Sequence, residues 1–167
     1  MTMRNRIFII DTDAFIHAYN YDFPPDGDHA GFWDWLNELG STVDILIPEK
    51  VFKEIKDGND GLDELILTLG NIIHQPTKGC LPYLPTVLQA YGTLTETDLE
   101  IIGATADPYI IAHAIELKAT VVTNEIPEPG RTAPRKKKIP DICSTLKVLC
   151  VRYPHFIWEM RGLSPRQ

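Results

Sequence analysis

Five acids stand in this chain beside apolar runs, where carboxylates could do chemistry. Asp11 and Asp13 flank Thr12 directly behind the apolar run IFII, Glu54 lies inside VFKEI, Asp107 opens DPYIIAHAI, and Glu125 closes ATVVTNE. A carboxylate at the end of a buried segment is costly unless a partner compensates it: a helix N-terminus, a metal ion, or a phosphate held through a metal. In parallel α/β sheets, ligands bind beyond the carboxyl ends of the strands, and Asp11 and Glu125 both follow strand-like runs. If those two strands are neighbours, Asp11, Glu54, Asp107 and Glu125 converge. Like charges that close raise one another's pKa. Mg²⁺ or Mn²⁺ removes the conflict, because hard ions prefer oxygen ligands and Mg²⁺ keeps waters that can attack a phosphate.

Each acid also has an ordinary structural reading. Asp107 before Pro108 has the form of a helix cap. Glu54, four residues after Lys50, suits an exposed ion pair. Glu125 suits a loop. Asp11 alone has no routine structural role, so the weight rests on the set.

The elements that must position these acids can be read from periodicity. RIFII, residues 6–10, is a buried strand feeding directly into a helix over DAFIHAYN. FWDWLNELG, residues 32–40, places Phe32, Trp35, Leu36 and Leu39 on one helical face with Gly40 as the C-terminal stop. Trp33 and Trp35 are read as core aromatics rather than as stacking platforms for bases. VDILIP, residues 43–48, is a second strand, and Pro48 starts a helix with Val51, Phe52 and Ile55 inward. A turn at 57–61 precedes another helical stretch. Residues 71–94, with three prolines, resist assignment.

The signal returns at residue 95. TETD has capping-box character. Asp107 is expected at an N-cap and Pro108 at the first helical position, with Ile110, Ile111, Ala114 and Ile115 inward and the helix running to about Ala119. Residues 119–125 form a β-branched strand. A loop over 126–138, a short helix near 140–147, a strand in VLCVR and a last helix complete the chain. Alternating strands and helices argue for an α/β domain with a mostly parallel sheet.

Composition limits the function. The 167 residues suit one domain, and 44% apolar content is ordinary for a globular chain. No apolar run reaches the roughly 20 residues that span a bilayer, and acids interrupt the N-terminal region where a signal peptide needs its apolar stretch. No membrane association and a cytoplasmic location are therefore expected. Cys80, Cys143 and Cys150 lack CxxC spacing and are read as reduced, small apolar residues. A formal net charge of −7 disfavours a general nucleic-acid coat. Even so, RTAPRKKK, residues 131–138, holds five of the sixteen basic residues. That run is either a solvated loop or a contact for phosphate or an acidic partner.

In the order and spacing of IFIIDTDAFIHAY, VFKEI and ADPYIIAHAIELKATVVTNE, the chain resembles the PIN-domain superfamily of metal-dependent nucleases. FWDWL, KIPDIC and the long loop before Lys138 suggest a branch near the VapC-type toxins. The resemblance covers nearly the whole chain and implies a single PIN-like domain over 1–167, its central sheet flanked by helices on both faces. It implies Asp11, Glu54, Asp107 and Glu125 as metal ligands for Mg²⁺ or Mn²⁺. Glu125 stands where the family commonly has Asp, and Asp13 where it usually has Asn. Thr12 and Thr123 are expected to orient the neighbouring carboxylates. Asp141 ranks below these, since it also suits the first turn of a helix. Arg135, Lys136, Lys137 and Lys138 are the candidate contacts to the RNA backbone. His17 and His113 are not needed.

The activity implied is endoribonuclease cleavage through metal-activated water, leaving a 5′-phosphate and a 3′-hydroxyl. A cognate antitoxin and a homodimer are implied as partners. Two other readings remain open. IFIIDTD also suits a haloacid-dehalogenase-type phosphatase with Asp11 as nucleophile and Asp13 as general acid, although no convincing lysine or late acid pair accompanies it. The other is a non-catalytic PIN fold that binds RNA.

Overall fold

Short runs of β-branched and aliphatic residues, buried on both faces, build the centre of the protein. The computed structural model describes residues 6–162, so the ends of the expected 1–167 span lie outside the described residues. Five parallel strands form one sheet in the order β3-β2-β1-β4-β5. They are β1 (Ile7–Ile10), β2 (Asp44–Pro48), β3 (Ile72–Gln75), β4 (Thr120–Thr123) and β5 (Cys150–Arg152). Ile9 pairs with Leu46 on one side and Val121 on the other, and all three are buried, as expected for a sheet covered on both faces.

The chain builds outward from β1 in two directions, first through β2 to β3, then through β4 to β5. Right-handed crossovers around such a reversal place connecting helices on opposite faces and leave a crevice where the order turns, between β1 and β4. The Asp11 backbone N–H donates to the Val122 carbonyl at 2.9 Å, extending this pairing to the edge of the crevice.

Nine α-helices are described: α1 (Thr12–His17), α2 (Gly31–Leu39), α3 (Glu49–Gly58), α4 (Leu62–Thr68), α5 (Leu84–Ala90), α6 (Glu96–Ala104), α7 (Asp107–Leu117), α8 (Ile139–Leu146) and α9 (Tyr153–Arg161). α1 follows β1 with only Asp11 between them and runs into a π-helical turn over Ala18–Asp22. Thr95 and Asp98 close the expected capping box at the start of α6 in both directions.

Several local expectations are corrected. Asp107 is the first residue of α7 and Ala106 takes the N-cap position, with no side-chain capping bond. α7 stops at Leu117 because Lys118 adopts φ +54°, not near Ala119. In α2 the buried set includes Trp33, whose Nε1 donates to the Phe23 carbonyl at 2.8 Å, whereas Trp35 is half-buried. Gly40 follows α2 with φ −60°, so a left-handed cap is not what favours glycine there. A Cβ at that position would lie 2.6 Å from the Asn71 carbonyl oxygen. The unassigned middle holds the edge strand β3, a 3-10 helix over Thr77–Tyr83, and α5.

Candidate metal centre

Because β1 and β4 are paired neighbours, Asp11 and Glu125 emerge at the same end of the sheet. Asp11 is 4% exposed and its Oδ2 accepts the Thr123 hydroxyl at 2.9 Å. That hydroxyl lies 3.4 Å from Asp13 Oδ1, which also accepts the Asn124 backbone N–H at 3.1 Å. The Glu125 backbone N–H donates to Thr123 Oγ1 at 3.1 Å. Thr123 therefore links the first acidic motif to the end of β4, as expected of a residue that orients carboxylates.

Glu54 reaches the same region from α3. Its two carboxylate oxygens accept the Thr12 hydroxyl at 2.6 Å and the Ala106 backbone N–H at 2.7 Å. One side chain thus bridges the residue after Asp11 and the residue before Asp107. Glu125 is held in a similar way, its Oε2 accepting the Ile139 backbone N–H at 2.7 Å and its Oε1 lying 3.5 Å from Lys138 Nζ.

The electrostatics show the convergence. Burial pushes the Asp11 carboxyl well above the usual carboxylate range, and Asp13 and Asp107 push it further while the Thr123 hydroxyl opposes them. Asp107 is pushed up to about 7, first by burial and then by Glu125, Glu54 and Asp13, with Lys138 opposing. Without a cation, both acids hold their protons to higher pH than an ordinary carboxyl.

The donors are hard oxygens and their charge is undercompensated, so chemically the set fits a divalent cation such as Mg²⁺ or Mn²⁺. Its placement is not coordinative: among the described residues, no three His, Cys, Asp or Glu side chains already enclose a metal position. Some closing of carboxylates must accompany binding.

Other candidate residues separate from this set. Asp141 Oδ2 accepts the Glu128 backbone N–H at 2.8 Å, fastening the loop, and lines a surface cleft of about 200 Å³ with Arg131, Lys137, Ser144 and Thr145. Arg135 pairs with Asp98 at 2.9 Å, Lys137 donates to the Ala90 carbonyl at 3.4 Å, and Lys136 is exposed. His113 is fully buried, with Nδ1 3.0 Å from Glu116, as a packed histidine on α7.

One neighbour carried no readable signal. Tyr91, buried at the end of α5, has its hydroxyl pushed far above the usual tyrosine range by burial and then by Asp107, Cys143, Glu125 and Asp11. It comes from the proline-rich segment whose structure periodicity did not reveal. The Ala106 and Ile139 N–H donors were equally hidden, since every non-proline residue carries such a group.

With this geometry in place, the chain can be set beside known proteins. Residues 8–161 match the family described as "Domain of unknown function (DUF4411)", and the chain belongs to that family. Among curated proteins, none matches. Among solved structures, the chain is similar to one described as "Crystal structure of VapBC2 from Rickettsia felis bound to a DNA fragment from their promoter". The identity is 22%, the match covers 87% of this chain and 98% of that one, and the TM-score is 0.52. This likeness concerns the fold, and it agrees with the single α/β domain and parallel sheet expected above. No described helix is long and apolar enough to cross a membrane.

Proposed function

We propose that this protein is a divalent-metal-dependent endoribonuclease of PIN-like fold, acting as the toxin of a toxin–antitoxin pair. The observation that carries the reading is the buried Asp11 carboxylate at the β1–β4 crevice, which shares its surroundings with Asp13 and Asp107. Water or a neutral hydrogen-bond network does not readily compensate such a cluster, whereas a divalent cation does. The likeness to the VapBC2 structure supports both the nuclease class and an antitoxin as partner.

Asp11, Glu54, Asp107 and Glu125 are the residues that would hold the ion. When bound, Mg²⁺ or Mn²⁺ supplies a water of lowered pKa and neutralises charge on the scissile phosphate. The protein's own contribution is positioning. Thr123 aims Asp11, and Glu54 ties together the chain segments that carry Asp11 and Asp107. The exposed Lys136 is available to a phosphate of the RNA backbone, a contact that gives affinity without sequence preference.

Labelled single-stranded RNA, incubated with purified wild type or Asp11→Asn in Mg²⁺, Mn²⁺ or EDTA, tests the reading. Cleavage by wild type in either metal, lost with EDTA and in a folded Asp11→Asn, is expected. Absence of cleavage by folded, metal-supplied wild type on several RNAs would sink it in favour of an RNA-binding module. Hydrolysis of a phosphomonoester instead would favour the phosphatase.

A further inference from the structure

Two of the three cysteines meet in this fold, although seven positions separate them in the chain. Cys143 lies on α8 and Cys150 opens β5, and a side-chain hydrogen bond joins their thiols. The backbone brings them together. Lys147 adopts φ +57° and reverses the chain directly after α8, and the Val148 N–H donates to the Cys143 carbonyl at 2.9 Å, so the strand returns alongside the helix it has just left.

The two thiols differ in access. Cys143 is fully buried, whereas Cys150 is half-buried on a strand that ends the sheet and pairs only with β4. The hydrogen bond from Cys143 also holds the Cys150 thiol below its ordinary range, against burial and the charges of Glu125 and Asp13. The thiolate is the reactive form, so Cys150 is the sulfur an oxidant reaches and Cys143 the one placed to resolve the product. Cys80 stands apart, buried in the 3-10 helix with its thiol donating to the Thr77 carbonyl at 3.1 Å.

We propose that Cys143 and Cys150 form a reversible intramolecular disulfide when the folded protein meets hydrogen peroxide, a modification independent of any metal or RNA chemistry at the acids. The Cys150 thiolate attacks one peroxide oxygen, the O–O bond breaks, and the other oxygen leaves as hydroxide, so that Cys150 becomes a sulfenic acid. The Cys143 sulfur then attacks the Cys150 sulfur. The S–S bond forms as the S–O bond breaks, and the departing hydroxide takes up the Cys143 proton. Together the thiols give up two electrons and two protons, and the peroxide ends as two waters. The bond ties the edge strand β5 to α8, the helix whose first N–H holds Glu125, and so forms within the support of the acidic cluster.

Peroxide treatment of the native protein, followed by intact mass, alkylation under denaturing conditions and peptide mapping, tests this. Reduced wild type is expected to carry three alkylatable thiols. Treated wild type should keep only Cys80, with a mass lower by two hydrogens and a peptide linking Cys143 to Cys150, and dithiothreitol should restore all the thiols. Cys80→Ser should form the same disulfide. Cys143→Ser, which lacks the resolving thiol, should hold a sulfenic acid on Cys150 that dimedone traps, and Cys150→Ser should form neither product. The cross-linked protein should melt no lower than the reduced form, because the thiols already adjoin in the native fold and the closed loop restricts the unfolded chain. All thiols remaining in treated wild type, a disulfide through Cys80, sulfinic acid without a cross-link, or a lower melting temperature on cross-linking would each overturn the proposal. The wild-type measurements decide it even where a serine variant fails to fold.

Discussion

The Glu54 carboxylate accepts the backbone N–H of Ala106 at 2.7 Å, joining residues 52 positions apart. Its other oxygen takes the Thr12 hydroxyl at 2.6 Å, so the side chain fastens the segment bearing Asp11 to the start of α7. Removing it leaves both partially buried donors without their acceptor, which costs about 1–3 kcal/mol. Glu54→Ala should lower the melting temperature by roughly 2–10 °C, and Glu54→Gln, which retains one acceptor, by less. Thermal unfolding in EDTA separates this effect from metal binding; an unchanged melting temperature for Glu54→Ala would show that the clamp contributes nothing to stability.

Asp11→Asn should behave in the opposite sense. The substitution replaces a carboxyl whose ionised form is penalised by burial, Asp13 and Asp107 with a neutral amide, so the metal-free fold should be as stable as wild type or more so. Mn²⁺ affinity should fall at least about tenfold, in line with loss of a direct ligand. Calorimetric titration alongside a melting curve checks both halves. A variant that melts much earlier in EDTA would mean that Asp11 is a structural group.

Asp107 sets a pH dependence with a definite sign. Its folded pKa is about 7 against an ordinary value of 3.8, so folding favours the protonated form. Its contribution is fully present below about pH 4 and is lost as pH rises through about 7, on the order of 1–3 kcal/mol once water access is allowed for. Metal-free wild type should therefore lose stability between pH 5 and 8 more steeply than Asp107→Asn. Denaturant midpoints measured across that range in EDTA test the difference, and parallel curves would refute the assignment. Metal affinity should rise over the same interval, because ligands must shed protons to bind.

The capping box at the start of α6 offers a control away from the acids. Thr95 Oγ1 accepts the Asp98 N–H at 3.1 Å, and Asp98 Oδ2 accepts the Thr95 N–H at 3.0 Å. Thr95→Ala should cost about 1 kcal/mol and leave Mn²⁺ affinity unchanged. Loss of metal affinity in a folded Thr95→Ala would show that α6 supports the site more directly than its contacts indicate.

Strands β1, β2 and β4 were legible because each is an apolar run bounded by polar or turn residues, and the capping residues of α6 carry their signal within four positions. Strand β3 was not, because its buried and exposed residues follow no clean alternation and prolines crowd the chain behind it. Of the acids, Asp11 directly behind Ile10 was legible as an anomaly, whereas Asp107, Glu54 and Glu125 each also suited a cap, an ion pair or a loop.

What residue order could not express is which donors meet those acids. The bonds from Thr123 to Asp11, from Ala106 to Glu54 and from Ile139 to Glu125 join residues 112, 52 and 14 positions apart. Two of them use backbone groups that carry no residue-specific signature. The same holds for the basic run, where Lys136 remains exposed, Lys138 turns inward to Glu125 and Arg135 pairs with Asp98. Local chemistry declares that charge has been placed beside a core; packing of distant segments chooses its partner, because each contact becomes favourable only after the chain has closed the loops between them.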